Sequence, residues 1–329
     1  VTETASAAAS AELAAVTRNG FVESRHIGSV AVVNPAGELI YSLGAPEELV
    51  LPRSAMKPFI ATAIMASGVE LEGAQAAIAT SSHSGSEQHA LLVRELLKRA
   101  GLVDDALQCP RDMPHDKALR TLMIRREIGP SPLFHCCSGK HAAMLLACVV
   151  NEWPTESYLE LDHPLQQRII EVMQRLIGTE ITVSAVDGCG APVHAMSLVS
   201  LARGVRTLVT ASPTSPFAMF RSGAELTQAM LANPVVVGAA GEPDTVLMQK
   251  LGVVAKTGYE GIFVASTADG TTAAVKVLDG NLRAAALIAV TALVRAGALT
   301  QAAVDAVAGD LDLTIFGGGK PVGAIQVAF

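Results

Sequence analysis

The chain has 329 residues, half of them hydrophobic, which is ample for a large core and excludes a disordered or disulfide-scaffolded chain. Lys plus Arg number 24 and Asp plus Glu 31, for a formal charge of -7. No basic stripe stands out, so nucleic acid and anionic membranes are excluded as main partners. The eight Phe, three Tyr and one Trp are too few for base- or sugar-stacking platforms.

Residues 1–15 are alanine-rich and lack a basic start followed by an apolar run, so they read as a frayed lead with no secretory signal. Residues 30–41 hold two apolar runs around Asn34-Pro35-Ala36-Gly37, a β-hairpin. Met56, Phe59, Ile60, Ala63 and Ile64 predict a helix that begins close to Ser54, because Pro58 is tolerated only near a helix start. A second short helix is expected over 71–79. A polar loop, Thr80 to Gly85, then leads to a helix over 86–100. Residues 104–132, broken by Pro110, Pro114, Pro130 and Pro132, read as a long excursion. Helices follow over 142–150 and 164–177, the latter stopped by Gly178. Residues 182–184 form a short strand into the Asp187–Pro192 loop, and helices are expected over 197–204 and 223–232. Short strands come late, over 253–256, 262–266 and 272–278, with Asp269-Gly270 marking a hairpin. Helices over 282–296 and 300–307 and a closing strand from Pro321 complete the chain. The apolar run 282–289 is far short of the roughly 20 residues of a membrane span.

Strands thus gather at both ends and helices in the middle. The pattern predicts a mixed α/β (α+β) fold: one antiparallel sheet built from both chain ends and a central, mostly helical lobe. No linker divides the chain. It reads as a single domain over 1–329, with a sheet lobe from about 25–50 and 250–329 and a helical lobe from about 54–245. The five cysteines, Cys109, Cys136, Cys137, Cys148 and Cys189, are odd in number and partly adjacent. They suit a reducing, cytoplasmic compartment better than a secreted disulfide framework.

Ser54-Ala55-Met56-Lys57 is a Ser-x-x-Lys pair one helical turn apart. A serine hydroxyl is a poor nucleophile until a base takes its proton, and a buried lysine is such a base. An N-cap serine followed by a solvated lysine is the plainer reading of the same spacing. The run Ser81-Ser82-His83-Ser84 lines a cleft or, more plainly, a surface loop. Lys256-Thr257-Gly258 after a strand resembles the Lys-Thr-Gly edge of serine–lysine acyl enzymes, and Lys256 beside Ser82 would make a second pair. Cys137, Lys140 and His141 cluster at a helix start. With Cys189 they form either a zinc-ligating set or a group containing small buried thiols.

Pro52 to Pro58, Ser82 to Gly85, Cys137 to His141, Val186 to Pro192 and Lys256 to Gly261, in this order, resemble the L-asparaginase II family of the Rhizobium type. The resemblance runs from about Arg25 to Phe329. It implies a fold like the serine β-lactamases and penicillin-binding proteins, and hydrolysis of L-asparagine to L-aspartate and ammonia. It implies Ser54–Lys57 and Ser82–Lys256 as two catalytic pairs; the working assignment takes Ser54 as nucleophile, with Ser82 the opposite assignment. It also implies Cys137, Lys140 and Cys189 as zinc ligands, the ion positioning the pocket, and Arg53 facing the substrate carboxylate. His83, Asp187 and Lys140 are expected at the substrate as well. Cys136, Ser86 and Phe316-Gly317-Gly318-Gly319 depart from the family pattern. A related glutaminase, a β-lactam or peptide amidase, and a silent amino-acid- or zinc-binding protein are the alternatives. The apolar helices suit a homodimer interface as well as a monomer core.

Overall fold

A computed structural model describes residues 3–329. Strand β1 (Ala11–Arg18) turns at Asn19-Gly20, both at positive φ, into the long β2 (Phe21–Val33). Such a turn matches the twist of a hairpin. The expected frayed lead is therefore corrected from Ala11 onward, while residues 1 and 2 lie outside the described residues. β1 pairs on both sides, and Leu13, Ala14 and Val16 are buried in the core. Alanine carries little strand preference of its own. A partner at the far end of the chain makes this stretch a strand. β3 (Leu39–Leu43) completes the expected hairpin, with Asn34 Oδ1 accepting from the Ala36 and Glu38 N–H groups in the turn.

After β4 (Leu49–Val50) the chain enters helices: α1 (Lys57–Ala66), α2 (Gly73–Thr80), α3 (Glu87–Arg99), α4 (Lys117–Arg125), α5 (Ser138–Val150) and α6 (Pro164–Ile177). Gly178 ends α6 in the left-handed conformation, φ 74°. The excursion before Pro132 is irregular apart from α4 and one short turn of 3-10 helix. A small hairpin of β5 (Ser184–Val186) and β6 (Pro192–His194), and the pairing of β7 (Met196–Ser197) with β4, interrupt the expected helical stretch. α7 (Leu198–Val209), α8 (Ala218–Ala232), α9 (Pro234–Val237) and α10 (Pro243–Leu251) follow. The chain then returns to the sheet through β8 (Val254–Thr257), β9 (Ile262–Ser266) and β10 (Thr272–Val277). It ends with α11 (Ala285–Arg295), α12 (Gln301–Ala308), β11 (Thr314–Gly317) and β12 (Lys320–Val327).

The main sheet runs β11-β12-β1-β2-β10-β9-β8, antiparallel throughout, with β3 added to β2. Val30, Ala31, Val32 and Val33 are all 0% exposed, so both faces of the sheet are covered here. α7 and α11 both pack on β2, β9 and β10. In the helical lobe α1 is buried along nearly its whole length and packs against α2, α6 and α8. The architecture is the expected one: a sheet from both chain ends beside a central helical lobe. Among the described residues no helix is long and apolar enough to cross a membrane.

Candidate active site

The chain enters the site through Pro52 and a short 3-10 turn, Arg53–Met56, that feeds α1. Arg53 has φ 51°, a conformation that costs energy in a residue with a Cβ and persists only where the surroundings enforce it. Ser54 follows it directly, buried, and its hydroxyl has no hydrogen-bond partner. Lys57 is also buried. Its ammonium does not stay with Ser54. It donates to the Ser81 carbonyl and, at 3.0 Å, to Ser82 Oγ in the loop after α2.

Lys256, near the end of β8, reaches the same hydroxyl from the sheet side at 3.1 Å. It also donates to Asp244 Oδ2 at 3.2 Å and to the Thr257 carbonyl at 3.0 Å. Burial pushes the Lys256 amine below its usual range. The Asp244 carboxylate pulls it back up and the Lys57 charge adds to the depression. Burial works to raise the Asp244 carboxyl, but Lys256 and two hydrogen bonds from Thr257 hold it below its ordinary value. With both amines within hydrogen-bond distance of one hydroxyl, Ser82 can accept from one lysine and donate its own proton to the other.

The meeting depends on close backbone approach. A Cβ on Gly258 would lie 2.5 Å from the Pro52 carbonyl, so only glycine lets the end of β8 rest against the turn before Ser54. The Ser82 loop is pinned by Ser82 N–H to the Val237 carbonyl at 2.9 Å and His83 N–H to the Cys136 carbonyl at 3.2 Å. His83, expected at the substrate, has both ring nitrogens engaged within the protein. Nδ1 accepts from the Gly85 N–H, so Nε2 carries the proton and donates to Ser138 Oγ at 2.9 Å. Burial, then the nearby His89 and Lys57, hold this ring well below the usual histidine range. A cleft of about 230 Å³ opens beside Ser82, walled in part by His115, Cys136, Glu242, Asp244 and Tyr259.

A second group of expected residues lies near Tyr259. Arg53 Nε donates to Asp187 Oδ1 at 2.6 Å, and its guanidinium sits 5.8 Å from the Tyr259 ring centre. Its terminal nitrogens make no hydrogen bond among the described residues. Burial opposes ionisation of Asp187, but the charges of Lys140 and Arg53 keep its carboxyl below the ordinary value. Cys137 precedes α5, and Lys140, one turn on, donates to Cys189 Sγ at 3.1 Å. Burial works against the Lys140 charge, and the Cys189 and Cys137 sulfurs outweigh it, raising this amine. Two sulfurs and an amine, all on buried residues, form a donor set that suits a sulfur-accepting ion such as zinc. His135, Cys136 and Cys137 form a further set of donors within 4.8 Å of one another.

Three of the four expected side chains, Lys57, Ser82 and Lys256, therefore meet, with the lysines sharing Ser82 rather than forming two separate pairs; the Ser54 hydroxyl, one helical turn before Lys57, bonds to none of them. Asp244, Glu242 and His115 were not legible in advance. A Glu-Pro-Asp helix start is common, and nothing local ties Asp244 to a lysine 12 residues later. Tyr259 stood within a matching segment without a role.

A family profile described as L-asparaginase II matches residues 14–327. No curated protein matches the chain in sequence. Among solved structures the chain is similar to Mglu in its native form, at 14% identity and TM-score 0.46, over 82% of this chain and 64% of that one. The chain thus spans less than two thirds of the length of that neighbour. A β-lactamase from Mycobacterium bovis aligns at 14% identity and TM-score 0.41, over 87% of this chain and 95% of that one. The glutaminase YbgJ of Bacillus subtilis, as a covalent complex with 5-oxo-L-norleucine, aligns at 12% identity and TM-score 0.35, over 88% and 89%.

Proposed function

From the premise that the chain belongs to the L-asparaginase II family, we propose that it hydrolyses the side-chain amide of L-asparagine to L-aspartate and ammonia through a serine acyl-enzyme. The observation that carries this reading is the convergence of Lys57 and Lys256 on the Ser82 hydroxyl, next to the strained turn that holds Ser54.

Ser54 is the nucleophile in this reading. Its oxygen is unpartnered, whereas the Ser82 hydroxyl is engaged by both lysines. The depressed Lys256 amine is the final proton acceptor. As Ser54 Oγ attacks the amide carbon, its proton passes to Lys57, a Lys57 proton passes to Ser82, and the Ser82 proton passes to neutral Lys256. The tetrahedral adduct collapses with return of a proton along the same path to the departing nitrogen, which leaves as ammonia. Water then repeats the attack on the ester, and Ser54 is restored. The free guanidinium nitrogens of Arg53 hold the substrate α-carboxylate, with Asp187 fixing the fork. Cys137, Lys140 and Cys189 would hold zinc, which when bound supplies positive charge and rigidity next to this carboxylate site.

The test is ammonia release from asparagine, glutamine and a chromogenic β-lactam by the wild type and by Ser54→Ala. Asparagine is expected to be turned over fastest. Ser54→Ala, folded by circular dichroism, is expected to lose on the order of 10⁴-fold or more in kcat. Near-wild-type release by that variant would sink the assignment of Ser54, and preferred turnover of glutamine or the β-lactam would sink the substrate.

A further inference from the structure

Cys136 and Cys137 are consecutive residues in the turn before α5, and their sulfurs stand 3.7 Å apart. Of the five cysteines, all free thiols, four are buried and only Cys136 is partly open. It forms part of the wall of the cleft beside Ser82, with its sulfur 3.4 Å from the Tyr259 hydroxyl. A small oxidant entering that cleft therefore meets one thiol, with a second, buried one beside it. The peptide group that joins the two residues is itself committed. Its carbonyl, that of Cys136, accepts the His83 N–H at 3.2 Å, and its N–H, that of Cys137, donates to His135 Nδ1 at 3.0 Å. The first of these bonds is one of the two that pin the Ser82 loop.

We propose that Cys136 and Cys137 form a modification site that takes a hydroperoxide and closes to a disulfide between neighbouring residues. The Cys136 sulfur attacks one peroxide oxygen and the O–O bond breaks. The Cys136 thiol proton leaves with the water or alcohol released, and Cys136 becomes a sulfenic acid. The Cys137 sulfur then displaces the sulfenic oxygen, which departs as water with the Cys137 thiol proton, and the S–S bond forms. Two thiols lose the two electrons that reduce the peroxide. The sulfurs close from 3.7 Å to about 2.05 Å. Consecutive Cα atoms lie about 3.8 Å apart, nearer than the about 4.4–6.8 Å that a relaxed disulfide spans. The bridge is therefore strained and readily returned to two thiols. The strain falls on the 136–137 peptide, which is part of the ring that closes, and twisting it weakens the hold of its carbonyl on the His83 N–H. The modification thus reaches the Ser82 loop through the backbone. It stands on the geometry of this turn and requires neither asparagine hydrolysis nor zinc.

The test treats the reduced full chain with hydrogen peroxide, caps the remaining thiols with iodoacetamide in denaturant and maps them by mass spectrometry. Cys136 and Cys137 are expected to be lost to capping together, in a peptide lighter by two hydrogens, and dithiothreitol is expected to restore both. In Cys136→Ser, folded by circular dichroism, Cys137 is expected to keep its thiol over the time in which the wild type loses it. Hydrogen exchange supplies the second readout: the His83 amide is expected to exchange faster in the oxidised protein than in the reduced one. A first bridge between Cys137 and Cys189 overturns the site. So does a Cys136 that stops at its sulfenic or higher acids with Cys137 still free, or loss of the Cys137 thiol at the wild-type rate in Cys136→Ser. An unchanged His83 amide with the bridge in place overturns the coupling to the Ser82 loop. These readouts follow thiols and amides, so they decide the site whether or not the wild type releases ammonia from asparagine.

Discussion

A single hydroxyl, that of Ser82, organises the site, and the charges behind it set the conditions under which it can work. Lys57 and Lys256 both lie within hydrogen-bond distance of it, and Asp244 stands behind Lys256. Asp244 is the group that pulls the Lys256 amine upward against burial. Asp244→Asn removes that pull, so neutral Lys256 persists to lower pH. The acid limb of the kcat/KM profile is expected to move to lower pH in this variant, read by ammonia release across a pH series. An unmoved limb would take Lys256 out of the relay. Lys256→Met keeps much of the stem's bulk but removes the terminal acceptor. It is expected to lose on the order of 10²–10⁴-fold in kcat, the usual scale of a proton-transfer partner. The Ser-x-x-Lys spacing marked Ser54 and Lys57 in advance, but spacing on one helix says nothing about a hydroxyl on another loop. The lysine stem is long enough to reach either, and packing of α2 against α1 decides which it reaches.

At the scale of elements, the site depends on helices that approach without side chains between them. A Cβ on Gly139 would fall 2.3 Å from the Ile78 carbonyl and 2.7 Å from Ile78 Cγ1, so α5 touches α2 through bare backbone. These helices carry the two halves of the site: α2 leads to Ser82, and α5 bears Lys140. Gly139→Ala is expected to push them apart, lowering stability by about 1–3 kcal/mol, as overpacking does. A urea midpoint checks the stability. The same variant is expected to lose activity beyond what its unfolded fraction explains, and full activity in the folded fraction would disprove the coupling. Helix ends with local punctuation were legible beforehand. Gly178 closes α6, and Pro58 fits only the first turn of α1. The short α9 and α10 were not, since Pro234 and Pro243 open them but no apolar stripe long enough to recognise follows.

For the molecule as a whole, burial of neutral imidazoles makes stability depend on acid. His141 and His194 are both fully buried, and burial pushes each down to about 4 from an ordinary 6.5. Between these values the unfolded chain binds protons that the fold refuses. Stability is therefore full above about pH 6.5 and falls as pH drops toward 4, by about 1.4 kcal/mol per pH unit for each ring. The urea midpoint is expected to be lower at pH 5 than at pH 7, and equal midpoints would contradict neutral rings in the fold. The amino-acid sequence alone determined the helical middle, the Asn34 and Asp269 hairpins, and the segments that bear hydroxyls, amines and sulfurs, because turn residues, prolines and periodic apolar positions act over a few residues. Only the tertiary structure decided that residues 11–18 form a strand between β2 and β12, that both lysines take Ser82, and that Asp244 sits behind one of them. Those outcomes are set by partners far away in the chain, whose geometry exists only once the sheet has closed and the helices have packed.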